Sequence, residues 1–490
     1  MRSPLSIRSS SEPRPVLDVC LGTRPEIIKM APVIQALRRR GLAPRIIHTG
    51  QHKELAWPLY QYFDLEPEVE LERGAEGQGL AGLSAGLLKG LDRVLEQSPP
   101  QAMLVHGDTT TAAMAALASF YRNIPVAHVE AGLRSHRRDD PFPEELNRSL
   151  IARLARWHFA PSETAVRNLY REGIDPESTF LVGNTIVDAT QAALERRRAS
   201  LAAAAHGLGL NPHRSVPAAE PGAGRPSADA STQTPSPTQP RLVLVTLHRR
   251  ENWGETVAGI SRAIFALVQA HPELEVVWPL HANPVLAESI REQAKSYPPE
   301  RLSRCHLVAP LDYPELIDLL AHAWLVITDS GGLQEEACAL KVPALVTRTH
   351  TERPELIDLG AGRLVGTDPL NLIREFEGLW RDPARHAAMC QGVNPYGDGR
   401  AAERIATVLA ESLAGPHAFE HASVAGRPPP PRQPSAHRRA ALLARPAHRP
   451  APHEVRGSAW TGLRPSGELP HGAEQSVLAA YPVEHRDDPR

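Results

Sequence analysis

The chain has 490 residues, 54 Lys and Arg against 56 Asp and Glu, a formal net charge of −2 and 47 prolines. That length favours two domains over one, and the near-neutral charge balance excludes a general nucleic-acid binder, which would show a basic footprint. No apolar run approaches the roughly 18 residues of a membrane span, and the N-terminal MRSPLSIRSSSEPRP lacks the apolar stretch of a secretory signal.

In chain order, residues 1–15 hold 3 prolines and read as a disordered tail. From residue 16 short apolar runs alternate with amphipathic stretches. VLDVCLG (16–22) is a buried strand and residues 25–40 the helix after it. PRIIHTG (44–50), QAMLVHGD (101–108) and PVAHVEAG (125–132) are further strands. Helices fall near 79–96, 110–121 and 144–155, and WHFAPS and TFLVGN continue the alternation. Strand–helix repetition of this kind predicts a parallel sheet covered on both faces.

The pattern stops near residue 195. Residues 195–240 hold 7 prolines, and 200–240 have almost no large apolar side chain. Such a segment cannot bury enough surface to offset its ordering entropy, so a disordered Pro-rich insert is expected. Strands resume at RLVLVTLH (241–248), LEVVWPLH (274–281), CHLVAP (305–310), WLVITDSGG (324–332) and PALVTR (343–348). The reading is therefore α/β, with domains at 16–194 and 241–390. A last helix over 391–413 crosses back to the first domain. A tail over 414–490 is expected to be disordered; 13 prolines lie between 413 and 490. Two such domains make a central cleft faced by strand carboxyl ends.

The four cysteines, Cys20, Cys305, Cys338 and Cys390, have no CxxC spacing and suit single thiols in a reducing cytosol. A cytoplasmic location is the matching expectation. No His/Cys/Asp cluster has metal-ligand spacing, and neither a Walker loop nor Gly-x-Gly-x-x-Gly follows the first strand.

Several strings carry chemistry. In ITDSGGLQEEA (327–337) a strand ends at Asp329, and Ser330, Gly331 and Gly332 open a helix. Backbone N–H groups there can cradle a phosphate. Glu335 and Glu336 are read into the first turn, where a carboxylate either complements the helix dipole or grips ribose hydroxyls. GTRPEIIKMAP (22–32) places Arg24 and Lys29 after the first strand, and ERPE (352–355) places Arg353 at a matching junction. HGDTTTA, HVEAG and FPEELNR place Asp108, Glu130 and Glu144 in the first domain. Asp108 alone could simply cap the helix at 110 and Glu144 could be a first-turn Glu, whereas Glu130 has no structural excuse. TLHRRENWG puts His248 after the second domain's first strand, and PLHANP repeats the placement with His281.

Together these strings, with TGQH and VGNTIVDA, resemble the non-hydrolysing UDP-N-acetylglucosamine 2-epimerases, in the family's order and over about residues 16–410 apart from the insert. The resemblance implies two Rossmann-like domains arranged as in the GT-B glycosyltransferases, and a reaction without a cofactor. It implies interconversion of UDP-GlcNAc and UDP-ManNAc by elimination and re-addition of UDP through 2-acetamidoglucal, supplying ManNAc for bacterial surface polysaccharide. It assigns catalysis to Asp108, Glu130, Glu144 and His248. Substrate contacts fall to Arg24, Lys29, His281, Ser330, Gly331, Gly332, Glu336 and Arg353, with Glu336 on ribose. Gln51 and Gln78 match part of a site for a second, activating UDP-GlcNAc, and Glu54 stands where several members carry Gln. The uracil pocket is implied around 311–316, where Leu316 replaces an aromatic of some members. A homodimer is implied as well. The rival readings are a hydrolysing epimerase, a GT-B glycosyltransferase and a catalytically inactive UDP-sugar sensor.

Overall fold

The computed structural model describes residues 17–50, 53–71, 79–207, 240–249, 252–351, 353–392 and 394–414, without the side chains of 53–55 and 199–207. The tails expected at 1–15 and 414–490 and most of the Pro-rich insert lie outside the described residues, Ala414 excepted.

Two parallel sheets organise the rest. The first holds β1 (Leu17–Leu21), β2 (Pro44–His48), β3 (Val69–Glu70), β4 (Ala102–His106), β5 (Val126–Val129), β6 (Trp157–Ala160) and β7 (Thr179–Leu181), in the order β3-β2-β1-β4-β5-β6-β7. The second holds β8 (Arg241–Thr246), β9 (Leu274–Pro279), β10 (Cys305–Val308), β11 (Leu325–Thr328), β12 (Ala344–Val346) and β13 (Gly362–Leu364), in the order β10-β9-β8-β11-β12-β13. The α/β expectation with two parallel-sheet domains is met. The short strands β3 and β13 escaped the sequence reading, because two or three residues leave no apolar run to recognise.

The central strands are apolar on both faces, as a sheet covered by helices requires. Leu17, Val19, Cys20 and Leu21 of β1 are all fully buried, each large aliphatic side chain contributing about 1.5–3 kcal/mol. Each sheet reverses its strand order once, between β1 and β4 and between β8 and β11. Crevices at such reversals, outside the strand carboxyl ends, are where doubly wound sheets bind ligands.

Glu26 fixes the first crevice. Its buried carboxylate accepts from the N–H groups of Gly22 (2.8 Å) and Thr23 (2.7 Å) and from the Thr109 hydroxyl (2.5 Å). It therefore caps the helix Arg24–Arg39 and ties the loop after β1 to the loop after β4. Thr109, not Asp108, caps the helix Thr110–Tyr121, by accepting from Ala112 N at 3.0 Å. The capping reading of Asp108 is thus corrected, and its carboxylate pairs elsewhere.

A helix over Thr185–Gly207 corrects the boundary set at 195. Arg196–Arg198, Leu201 and Ala202–Ala205 are good helix formers, and the prolines of the insert begin only at Pro212. This helix serves both lobes: Arg196 pairs with Asp64 of the first at 2.8 Å, and Arg197 with Asp318 of the second at 3.5 Å. The helix Ala401–Ala414 lies against the first lobe, its first N–H groups donated to Asp188 at 3.2 and 2.9 Å. No helix among the described residues is long and apolar enough to cross a membrane.

Candidate functional site

The loops after β1, β4, β5, β8, β9, β11 and β12 carry the motif residues, and the structure sorts their side chains into three groups. In the first, Glu130 follows β5 with φ +65°, a left-handed conformation uncommon outside glycine. That turn brings its carboxylate onto Lys29, with His106 Nε2 at 3.5 Å and Asn184 Nδ2 donating at 3.1 Å. Lys29 in turn lies 3.1 Å from Glu335 of the second lobe, and Glu335 accepts from Arg353 Nε at 2.9 Å. Burial alone would push Glu130 up, but the charge of Lys29 and then His106 hold it well below the usual carboxylate range. Burial likewise works against the Lys29 ammonium, and Glu130 and Glu335 outweigh it, raising its pKa.

The second group surrounds Asp108. Its carboxylate pairs with Arg148, and its backbone carbonyl accepts from Asn147 Nδ2 at 2.9 Å. Arg148 also lies 3.2 Å from Glu145, which accepts from Ser135 N at 3.0 Å. Glu144, one residue earlier, opens the helix Glu144–Leu154 half-buried, with no hydrogen bond or ion pair to its side chain among the described residues. The first-turn reading of Glu144 is correct, and its carboxylate remains available.

The third group lies on the second lobe. His248 Nδ1 donates to Asp329 at 2.9 Å, and Asp329, fully buried, also accepts from the N–H groups of His248 (3.0 Å) and Arg249 (3.0 Å) and from Asn252 Nδ2 (3.0 Å). Burial would raise the Asp329 carboxyl, and these bonds, led by the one from His248, hold it below the ordinary value. With Nδ1 committed, Nε2 of the His248 ring is the atom left for a ligand. The ring of His281 stacks on His248 with centroids 6.4 Å apart, and its Nδ1 accepts from Asn283 N at 3.0 Å, so its neutral form carries the proton on Nε2. Burial and the His248 charge lower its pKa.

Ser330 caps the helix Gly331–Ala339 through Leu333 N. The N–H groups of Gly331 and Gly332 have no partner among the described residues, and space opposite Gly332 is open, with nothing within 4 Å of where a Cβ would sit. That is an anion cradle. Half-buried Arg24 has no hydrogen bond among the described residues. Glu335 and Glu336 lie in the second turn, not the first, so helix-dipole placement does not explain them. Glu336 is buried, accepts no side-chain hydrogen bond among the described residues, and is pushed up to about 7 by burial first and Glu335 second. A carboxylate left unpaired at such cost is suited to a hydroxyl donor that arrives with a ligand.

A sequence profile of the UDP-N-acetylglucosamine 2-epimerase family matches residues 35–410. A probable UDP-N-acetylglucosamine 2-epimerase of Ralstonia nicotianae is 38% identical over 392 residues, covering 80% of this chain and 97% of the relative. The chain belongs to the UDP-N-acetylglucosamine 2-epimerase family. Among solved structures, a UDP-GlcNAc 2-epimerase from Neisseria meningitidis bound to UDP-GlcNAc is 34% identical with TM-score 0.70, covering 81% of this chain and 99% of that one. One from Listeria monocytogenes, described as a UDP-N-acetylglucosamine 2-epimerase, is 36% identical with TM-score 0.69, covering 81% and 96%.

In this epimerase the structure joins Lys29, Glu130 and Arg353 in one network, places Ser330, Gly331, Gly332 and Glu336 on one helix end, and stacks His248 on His281. Among the described residues it makes no bond between the Asp108 group and the other two. Gln51 and Gln78 lie outside the described residues. Sequence reasoning passed over Asp329, Glu335, His106, Arg148 and Glu145 as site residues. Asp329 and His106 sit in strings already singled out, and the signal for them was their place at a strand's carboxyl end. Arg148 and Glu145 also sit in such a string, FPEELNR, but the bond from Arg148 to Asp108 spans 40 residues and left no local signal.

Proposed function

We propose that this enzyme interconverts UDP-GlcNAc and UDP-ManNAc without hydrolysis, by eliminating UDP and adding it back. The observation that carries the reading is Glu130, a buried carboxylate held ionised beside Lys29 in a network that ends on Arg353. A carboxylate so held is a weak base, and the proton on sugar carbon 2 is not acidic. Departure of UDP must therefore lead: as the C1–O bond lengthens, positive charge at C1 acidifies the C2 proton. That proton passes to a carboxylate, its C–H electron pair becomes the C1=C2 bond of 2-acetamidoglucal, and UDP leaves with the C1–O pair. In the return step C2 gains a proton on the opposite face and a UDP oxygen bonds to C1.

Asp108, Glu130 and Glu144 supply carboxylates for the two faces. Arg24, the N–H groups of Gly331 and Gly332, and Nε2 of His248 and His281 stabilise the leaving diphosphate. Glu336 takes the ribose, and residues 311–316 the uracil. The product would supply ManNAc for bacterial surface polysaccharide. Assembly as a homodimer, read by sedimentation, belongs to the same proposal.

UDP-GlcNAc incubated with the enzyme in heavy water and followed by NMR tests the reading. UDP-ManNAc deuterated at carbon 2 is expected. Free ManNAc with stoichiometric UDP would replace it with hydrolysis, and unlabelled UDP-GlcNAc would leave a binding protein.

A further inference from the structure

Two adjacent acidic side chains on the helix Gly331–Ala339 have opposite surroundings. Glu336 accepts no side-chain hydrogen bond among the described residues. Glu335 meets a cation at both oxygens: Oε1 accepts from Arg353 Nε at 2.9 Å, and Oε2 lies 3.1 Å from Lys29 Nζ as a charge pair without a hydrogen bond, with its side chain 1% exposed. Lys29 comes from the first lobe and reaches Glu130 as well. The result is a buried run of alternating charge, Glu130, Lys29, Glu335, Arg353, that crosses between the lobes. Removing one member of such a run leaves its neighbours' charges buried and uncompensated.

We propose that Glu335 is a positioning residue of this site, holding Lys29 and Arg353 across the two lobes and, through Lys29, the Glu130 carboxylate. Gly331 completes the arrangement. A Cβ there would sit 3.0 Å from Arg353 Nη1, so glycine lets the guanidinium lie against the helix end that forms the anion cradle. Glutamine could not substitute without loss: its amide has one acceptor, and its NH₂ would face a cation.

The inference rests on the epimerisation reading for its kinetic readout alone. The wild-type enzyme is assayed first in heavy water. Failure to form deuterated UDP-ManNAc removes that reading, and Glu335 is then judged on UDP binding by calorimetry. For Glu335→Gln, kcat/KM is expected to fall about 10- to 100-fold, mostly in kcat, as befits a lost charged hydrogen bond. Glu335→Asp keeps the charge one methylene short and should recover part of kcat.

A second readout distinguishes positioning from mere scaffolding. UDP affinity of the wild type should weaken as pH falls through about 7, where Glu336 takes up its proton. The groups facing Glu336 are Glu335 beside it, Lys29 and Arg24 from the first lobe, and Tyr313. Glu335→Gln removes the like charge among them, so the limb should move to lower pH. A folded Glu335→Gln with wild-type kcat and an unmoved limb overturns the proposal. Should that variant not fold, wild-type kcat in Glu335→Asp overturns it and an intermediate value upholds it.

Discussion

Around Lys29, charge meets charge inside the protein: Glu130, Lys29, Glu335 and Arg353 have side-chain exposures of 9%, 6%, 1% and 13%. Around His248 the arrangement is anchored only from behind. Asp329 is fully buried and holds the ring by Nδ1, while the His248 side chain remains 38% exposed. The members of the first region constrain one another. The second fixes one atom of a side chain and leaves the next for the ligand. Under the proposed reaction the contrast would answer two demands, rigid placement of proton-transfer groups and access for a diphosphate that leaves and returns.

The strongest way to break this contrast is Glu130→Gln. The amide no longer balances Lys29 and cannot take a proton, so turnover in the deuterium assay should fall about 10²- to 10⁴-fold. On the proposed reading Glu130 does not contact UDP, so UDP binding should change little by calorimetry. Equal losses in both measurements would show that the buried run serves affinity and not chemistry.

Asp329→Asn probes the anchored edge. One amide oxygen can still accept from backbone N–H groups, but the charge that orients His248 is gone. A loss of about 10- to 100-fold in kcat/KM is expected. The ¹⁵N spectrum of His248 should show Nδ1 no longer uniformly protonated at neutral pH. An unaltered spectrum with full activity would remove Asp329 from the account.

Glu336→Gln gives the smallest effect, and it appears in stability. The folded-state pKa of Glu336, about 7, lies above the ordinary glutamate value of 4.5 because burial, and then the neighbouring Glu335, disfavour its charge. Its contribution is therefore complete below about pH 4.5 and is lost as pH rises through 7. Glutamine escapes that loss, so the ligand-free variant should be more stable than wild type by about 1–3 kcal/mol at pH 8, with no such gain at pH 4.5. Thermal melts at the two pH values read this, and UDP affinity at pH 8 should drop in the same variant.

Much of the fold was legible because parallel sheets write themselves as short apolar runs: eleven of the strands coincide with VLDVCLG, PRIIHTG, QAMLVHGD and their counterparts. The helix past residue 195 was obscured because its Arg and Ala residues share a window with later prolines. Within the site, glycines and charged residues at strand ends stood out locally. Arg148 did not, since in sequence it reads as an ordinary helical arginine, and its bond to Asp108 spans 40 residues. Glu335 was visible but misplaced by one turn, which exchanged a dipole argument for a pairing argument.

By itself the sequence determined the alternation of strands and helices, the loops that carry chemistry, and the residue types offered to an anion and to a proton. Those are local properties, set by side-chain polarity and backbone preference within a few residues. Only the tertiary structure decided that the loops after β1 and β4, and after β8 and β11, stand at the two strand-order reversals. It alone paired Lys29 with Glu335 and Arg148 with Asp108. The near-neutral charge of the whole chain conveys nothing of this, because a buried charge takes its meaning from what lies within about 4 Å of it, not from its neighbours in sequence.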